Sequence, residues 1–554
     1  MQNNKKKSNS FLVQGGILAI ASILVRVIGI IYRVPLTAII GDKGNTFYST
    51  AYSIYSVLLL VSSYSLPVAV SRLISVKAAA GEYRNIQRIL TVTMGFAIVV
   101  GGGLSLLTLF GAEFLSSAIS KAPLAAIPLR FLAPSILVVA LLGTYRGFFQ
   151  GMGSTVPTAV SQVLEQISHA IVCLIAAYFL FQYGQQADTL KGTDSYAYAW
   201  GAAGGTIGCT VGAIVALLFC LLVYTSYSPY FRKMIRRDQT GKLDSYGSIG
   251  KTLLFTIVPV VLSTAVYNLI DITDQVIYSH NVTESLYEST WGVYTAKYLL
   301  LIHVPVAIAS AMAASTVPAI SRSQKQKDNK EVVRKAGTVI KCTMLIAIPS
   351  AVGLSVLANP IIKLLFHGDT SSANLYLMVG GCAVIFFSLA TITNGILQGI
   401  GKMKIPVRNS AISLVLHMIL LVVLMRHTDM GIFAVIFSYI FFGVCICTLN
   451  SFAINRYLDY HQNLTAIYIL PGAAAVVMGI CAYFIHIYMT KWTGSNTIGV
   501  IAAIVAAILI YGILVVRFRV VREEEILSMP KGRGLVKLCR KLHLLPQSQG
   551  KKER

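Results

Sequence analysis

Fourteen apolar runs, each about the length that crosses a bilayer as a helix, follow one another along a chain of 554 residues. They lie roughly at 11–40, 46–70, 89–110, 126–150, 157–182, 197–224, 252–278, 291–318, 337–358, 373–399, 407–425, 430–454, 464–488 and 497–516. Lipid offers a backbone no water to pair with, so only helices and closed barrels span it. Barrel strands would alternate in polarity over about ten residues, and these runs do not. The chain is 55% hydrophobic and 12% charged, against about 25% charged in an ordinary soluble domain. A water-soluble multidomain enzyme is excluded, and disorder is excluded by the same apolar content. The expected fold is an all-α polytopic membrane protein with 14 transmembrane helices.

The formal net charge is +25, and its placement matters more than its size. Most of the 46 Lys and Arg fall at Lys5–Lys7, in the loops after the second, sixth and eighth runs, at Lys402, Lys404, Arg408 and Arg456, and from Arg517 to Arg554. The opposite loops hold Lys43, Lys121, Lys191, Lys363, Arg426 and Lys491. This asymmetry is the positive-inside signature and puts both termini in the cytoplasm. Membrane lipids are the expected partners. Nucleic acid is not, because no aromatic-interleaved basic module is present. Eight of the nine Cys lie in apolar runs, Cys539 lies in the tail, and no C-x-x-C occurs, so neither zinc nor a disulfide framework is indicated. The first run is too long for a signal h-region and reads as a retained span.

The chain repeats itself. Leu66-Pro67-Val68-Ala69-Val70 recurs as Val304-Pro305-Val306-Ala307-Ile308, and Gly103-Leu104-Ser105 as Gly353-Leu354-Ser355. Gly147-Phe148-Phe149-Gln150-Gly151-Met152-Gly153 recurs as Gly395-Ile396-Leu397-Gln398-Gly399-Ile400-Gly401, each followed by a Pro, Pro157 and Pro406. Order and offset agree, which predicts two six-helix lobes, 1–250 and 251–456. Two further helices occupy 457–517, and 518–554 is a basic cytoplasmic tail. An even helix number makes the repeat parallel, and a substrate site is expected between lobes near mid-membrane. The competing explanation is that Gly- and Pro-rich helix ends resemble one another everywhere.

Charged side chains inside spans cost roughly 2.5–3.5 kcal/mol each on insertion scales and mark a pathway by default. Arg26 and Arg33 share one face of the first helix, about 10 Å apart along its axis. Lys297 lies two turns into the eighth span, Arg146 near the cytoplasmic end of the fourth, and Arg72 at the end of the second. Cations spread over several helices suit a polyanion such as pyrophosphate, which Arg meets bidentately. The alternative, strongest for Arg72 and Arg146 and open for Arg33, is snorkelling to an interface. In the fifth span Gln162, Glu165, Gln166 and His169 form a polar stripe at i, i+3, i+4 and i+7. It suits sugar hydroxyls or a proton relay, or equally interhelical hydrogen bonds of about 0.6 kcal/mol each.

Asp271 and Asp274 end the seventh span. A carboxylate pair could hold a sodium ion or a proton. Asp274 reads as solvated at the outer interface, and Asp271, one turn deeper, as the better ion-coupling candidate. His303 and His417 read as packed polar residues. No nucleophile triad, metal cluster or nucleotide loop appears, and Gly101-Gly102-Gly103 has no preceding strand. No catalytic residue, metal or cofactor is expected, and a gradient must drive any transport: sodium, protons or the membrane potential.

Arg26-Val27-Ile28-Gly29 with Arg33 resembles the arginine-bearing first helix of the MurJ/MviN-type lipid II flippases. Tyr145-Arg146-Gly147-Phe148-Phe149-Gln150-Gly151, Pro157 and Ser161-Gln162-Val163-Leu164-Glu165-Gln166 resemble the SpoVB/YtgP branch of that group, within the MOP superfamily. The resemblance covers nearly the whole chain. It implies a V-shaped pair of lobes around a cationic cavity, pyrophosphate contacts from Arg26, Arg33 and Lys297, and a polyprenyl-tail groove formed by helices thirteen and fourteen. In some members it implies a sodium site between helices seven, eleven and twelve, for which Asp271 and Asn409 are the candidates here. This chain departs from the pattern in two places. Arg33 is one residue beyond the usual spacing, and the eleventh helix carries Asn409 and His417 but no Asp.

The expected function is therefore a non-enzymatic one: a monomeric flippase in a bacterial plasma membrane. It would move undecaprenyl-pyrophosphate-linked peptidoglycan precursor outward by alternating access, with cell-wall synthesis enzymes as partners. The alternatives are a flippase for a capsule, teichoic or exopolysaccharide precursor, a cation-coupled multidrug exporter, and a non-transporting scaffold. An exporter of cations would prefer acidic cavity residues. A scaffold would tolerate neutralisation of every embedded charge.

Overall fold

The computed structural model describes residues 2–521 except 327, 368, 369 and 461, together with residue 536; the side chains of residues 2–16, 19, 259, 260 and 262–268 lie outside that description. The basic tail expected at 518–554 and the side chains of Lys5–Lys7 thus fall almost wholly outside the described residues.

Every regular element among the described residues is helical. In chain order these are α1 (Gln2–Leu59), α2 (Leu66–Ala79), α3 (Tyr83–Phe96), α4 (Gly102–Ser120), α5 (Ala126–Gly151), α6 (Val156–Lys191), α7 (Tyr196–Arg236), α8 (Tyr246–Asn281) and α9 (Glu284–Val293). There follow α10 (Leu300–Lys325), α11 (Asn329–Val356), α12 (Ala358–Leu365), α13 (Ser371–Gly380), α14 (Ala383–Gly399), α15 (Lys404–His427), α16 (Ile432–Leu458), α17 (Leu470–Thr493) and α18 (Asn496–Arg517). Among the described residues, 11 helices are long and apolar enough to cross a membrane, or up to 12 if the bent α13–α14 pair is one span. This is an all-α polytopic membrane protein, but fourteen separate spans are not resolved. One reason is the 60-residue stretch Ile20–Ala79, which covers the first two expected spans. Gly41, at φ 64° and ψ −174°, breaks the helix between them. That φ lies in the region open to glycine.

The chain divides into two compact units. One comprises Met1–Leu300 and Ser410–Ser438, the other Leu301–Asn409 and Tyr439–Arg554. In the first unit α7 packs along α6 through glycines. A Cβ on Gly204 would lie 2.4 Å from the Ala177 backbone, and one on Gly208 2.7 Å from Cys173 Cβ. Such close approach lets dispersion and backbone contacts hold helices where lipid supplies no hydrophobic drive. In the same way Gly147 and Gly151 of α5 lie against Val70 and Ile74 of α2. In the second unit Gly395 and Gly399 of α14 lie against Ala313 and Ile320 of α10. Each copy of the repeated glycine motif therefore rests on the helix that carries a copy of the repeated proline motif. Leu60–Tyr64, Ala97–Gly101, Tyr294–Leu299 and Thr465–Ile469 are π-helical. An inserted residue of this kind rotates the side chains beyond it.

Candidate functional site

The first unit holds all the polar residues singled out above except His303 and Asn409. On α1, Arg26 is exposed and Arg33 half-buried. Gly29 lies between them on the same face, and the direction of its missing Cβ meets Gln166 Nε2 at 3.6 Å. The arginine face of α1 is thus turned to the polar stripe of α6. The Arg33 guanidinium lies 5.8 Å from the centre of the Tyr48 ring, a cation–π arrangement that keeps charge in an apolar bundle. Tyr32 packs on the buried His169 at 4.8 Å between ring centres, and His169 Nε2 lies 3.5 Å from Cys209 Sγ. One buried oxygen here, Gln162 Oε1, lacks a hydrogen-bond partner among the described residues. Buried polar atoms are seldom left so unless something else meets them.

Arg146 is neither a free cation nor a snorkelling one. Its Nη2 lies 2.7 Å from Glu165 Oε2, and its Nε donates to Ser161 Oγ at 2.9 Å. The pair joins α5 to α6 and leaves Glu165 neutralised within the stripe. Arg72 is exposed on α2, and its carbonyl accepts from Ser75 Oγ at 2.9 Å.

Lys297 departs furthest from the sequence reading. It lies on the π-helical segment Tyr294–Leu299 and is 1% exposed. Its Nζ contacts both carboxylate oxygens of Asp42, at 2.8 and 2.9 Å. Asp42 follows the break at Gly41, nine residues beyond Arg33 in the sequence. The close approach is tight. A Cβ on Gly292 would lie within van der Waals overlap of the Asp42 carbonyl, so only glycine fits there. Lys297 is therefore held by a carboxylate just past the break in α1.

Asp274 of α8 departs from the sequence expectation of a solvated acid. Asp274 is 1% exposed and Asp271 is exposed. Positions i and i+3 lie on one face of the helix, and what separates the two is that Asp274 is covered by His417 of α15. Asp274 Oδ1 lies 2.5 Å from Nε2 of His417 on α15. The next residue, Gln275, donates to Thr50 Oγ1 at 2.9 Å and to the Tyr287 hydroxyl at 3.0 Å. In the second unit Asn409 donates to Asn450 Oδ1 at 2.9 Å, and Asn450 donates to Thr393 and Asn394. His303 Nε2 lies 3.2 Å from the Tyr439 hydroxyl.

Sequence reading passed over Asp42, Tyr48 and the Asp274–His417 partnership. Asp42 carried one weak signal, an acid directly after a glycine between two long apolar runs. Tyr48 carried none, being an aromatic among aromatics.

The chain matches the family described as "Polysaccharide biosynthesis protein" over residues 12–324, more than half of its length. It belongs to that family. A second match, to the family described as "MatE", covers residues 259–423. The family member is 24% identical over 519 residues to "Lipid II flippase MurJ" of Bacillus subtilis (strain 168), covering 89% of this chain and 92% of that one. It is 22% identical over 526 residues to "Stage V sporulation protein B" of the same organism, covering 94% and 98%. Among solved structures, the lipid II flippase MurJ in an inward closed conformation aligns with a TM-score of 0.65 at 17% identity, over 90% of this chain and 98% of that one. An inward-facing multidrug resistance MATE transporter aligns at 0.60 and 14% identity, over 78% and 98%. At these identities the structures speak for the fold. Family and relatives together make the protein a multi-pass flippase of the MurJ and SpoVB type in the MOP superfamily. Such proteins move a substrate and do not transform it.

Proposed function

We propose that this flippase moves undecaprenyl-pyrophosphate-linked peptidoglycan precursor, lipid II, from the inner to the outer leaflet of a bacterial plasma membrane, with both termini cytoplasmic. The observation that carries the reading is the apposition of the Arg26–Arg33 face of α1 and the amides of α6, seen where Gly29 meets Gln166. Arginines suit pyrophosphate, and Gln162, Gln166 and the Tyr48 hydroxyl suit a glycan beside it. Arg146 positions Glu165. Lys297 joins the pyrophosphate contacts once Asp42 lets it go, so the anion replaces one counter-ion by another. The lobes 1–250 and 251–456 rock to expose the headgroup on either side. The polyprenyl tail stays in lipid along 457–517, and the basic tail 518–554 remains cytoplasmic. An inside-negative potential favours outward movement of an anion by about 2.3 kcal/mol per charge per 100 mV. The protein works as a monomer beside the enzymes that consume its product.

The experiment is rescue of a strain depleted of its lipid II flippase. Wild type restores growth and Arg26→Ala does not; growth with Arg26→Ala equal to wild type would sink the site. A second reading, another lipid-linked glycan, is favoured by one match. A 175-residue segment is 26% identical to "Probable low-salt glycan biosynthesis flippase Agl15" of Haloferax volcanii, covering 32% of this chain. Failure of wild type to rescue would select it.

A further inference from the structure

Asp274 and His417 form a buried pair inside the first unit. They are 1% and 0% exposed. His417 Nδ1 lies 2.8 Å from the Ser438 carbonyl oxygen. A carbonyl can only accept, so Nδ1 carries a hydrogen and donates it. In a neutral imidazole Nε2 is then a bare acceptor. A bare nitrogen and an ionised carboxylate would repel at the 2.5 Å that separates Nε2 from Asp274 Oδ1. One more proton must lie between them. It is shared as imidazolium with carboxylate or as imidazole with carboxylic acid, and both forms have the same atoms and no net charge. Loss of that proton leaves one uncompensated negative charge in a buried site, which is strongly unfavourable.

Among the described residues, the Asp274–His417 pair does not fit the sodium ion implied by the resemblance. An alkali cation takes oxygen ligands, and the α15 group set against Asp274 Oδ1 is the His417 nitrogen. The Ser438 carbonyl is taken by Nδ1–H. Asn409 belongs to the Asn450 cluster of the other unit.

We propose that the Asp274–His417 pair is a proton-binding site, and that a proton rather than sodium is the ion this flippase binds among α8, α15 and α16. Among the described residues, the groups near the pair are neutral or acidic. From α8 comes Asp271, one turn away, and from α16 the Ser438 carbonyl, whose own hydroxyl turns to Ala434 and Val435. From α1 and α9 come the hydroxyls of Thr50, Ser53 and Tyr287, gathered on Gln275. While the proton is present, the pair clasps Ser410–His427 of α15 to α8. When it leaves, the clasp becomes a repulsion and α15 is free to shift. The use of that shift in transport rests on the flippase reading; the occupancy of the site does not.

The test uses the purified full chain in lipid bilayers, labelled with 15N-histidine, with His417→Gln to assign the His417 signals. The expected result at neutral pH is a protonated Nδ1 and a strongly hydrogen-bonded Nε2 whose signal changes in Asp274→Asn. A companion measurement on the unaltered protein compares melting temperature in sodium and potassium chloride at equal ionic strength, and the expected result is no difference. A sodium-specific rise in melting temperature, or a His417 Nε2 free of hydrogen bonding, would overturn the proposal. Neither readout involves substrate, so a wrong substrate assignment would surface in the rescue experiment with these results unchanged.

Discussion

Lys297 and Asp42 illustrate what a buried ion pair does to the choice of informative substitutions. The ammonium is 1% exposed and the carboxylate side chain 24%. Removing one partner strands the other charge, whereas removing both leaves nothing to solvate. Asp42→Asn is expected to lower stability by about 3 kcal/mol. Asp42→Asn with Lys297→Met is expected to recover most of that loss, measured by denaturant titration in detergent. Equal losses in the single and double variants would mean the contact carries no coupling. Arg33 is held differently, over the Tyr48 ring. Arg33→Lys keeps the charge and loses the planar fork. It is expected to rescue flippase depletion more weakly than wild type but better than Arg33→Ala, read as growth rate. Embedded Arg26, Arg33 and Lys297 were legible as candidates because charge in an apolar run is conspicuous. Their partners were not, because a tyrosine among 28 tyrosines or an aspartate beside a helix break carries no periodic mark.

Glycines set how closely the helices approach, and their directions separate those that pack from those that do not. A Cβ at Gly204 would meet α6 backbone at 2.4 Å, whereas Gly103 has nothing within 4 Å. Gly204→Ala is expected to cost about 1–3 kcal/mol through overpacking, and Gly103→Ala to leave the melting temperature unchanged. Similar losses at both positions would refute the packing argument. The α2–α3 and α7–α8 connections are joined by a polar clasp outside the spans. Asp238 accepts from the Arg84 backbone N–H at 2.9 Å and from Thr240. Those bonds hold its carboxyl below the usual carboxylate range. Glu82 is lowered too, by Lys77 and then Asn85. A lowered folded-state value stabilises above the ordinary carboxylate range and loses that stabilisation as pH falls through the folded value. Proteolysis at the α7–α8 connection is therefore expected to rise on acidification below about pH 4, and Asp238→Asn to show the fast rate already at neutral pH. A pH-independent rate in the unaltered protein would contradict this.

For the molecule as a whole, transport of an anion outward should follow the membrane potential. Headgroup exposure in cells is expected to slow when the potential is collapsed at constant external pH and sodium, and to remain unchanged when sodium is replaced by potassium at fixed potential. Reading along the chain was sufficient for helices and for a membrane-spanning chain. Each of those depends on whether a local stretch of backbone or side chain can find water, and that is a property of neighbours in sequence. The pairings that give the embedded groups their chemistry were beyond its reach. Lys297 meets Asp42 across 255 positions and His417 meets Asp274 across 143. Even Arg146 and Glu165, 19 apart, needed two helices to turn the right faces together. Rotation of a helix about its axis is set by packing against other helices, through glycine grooves and π-helical insertions, and no stretch of one helix contains that information.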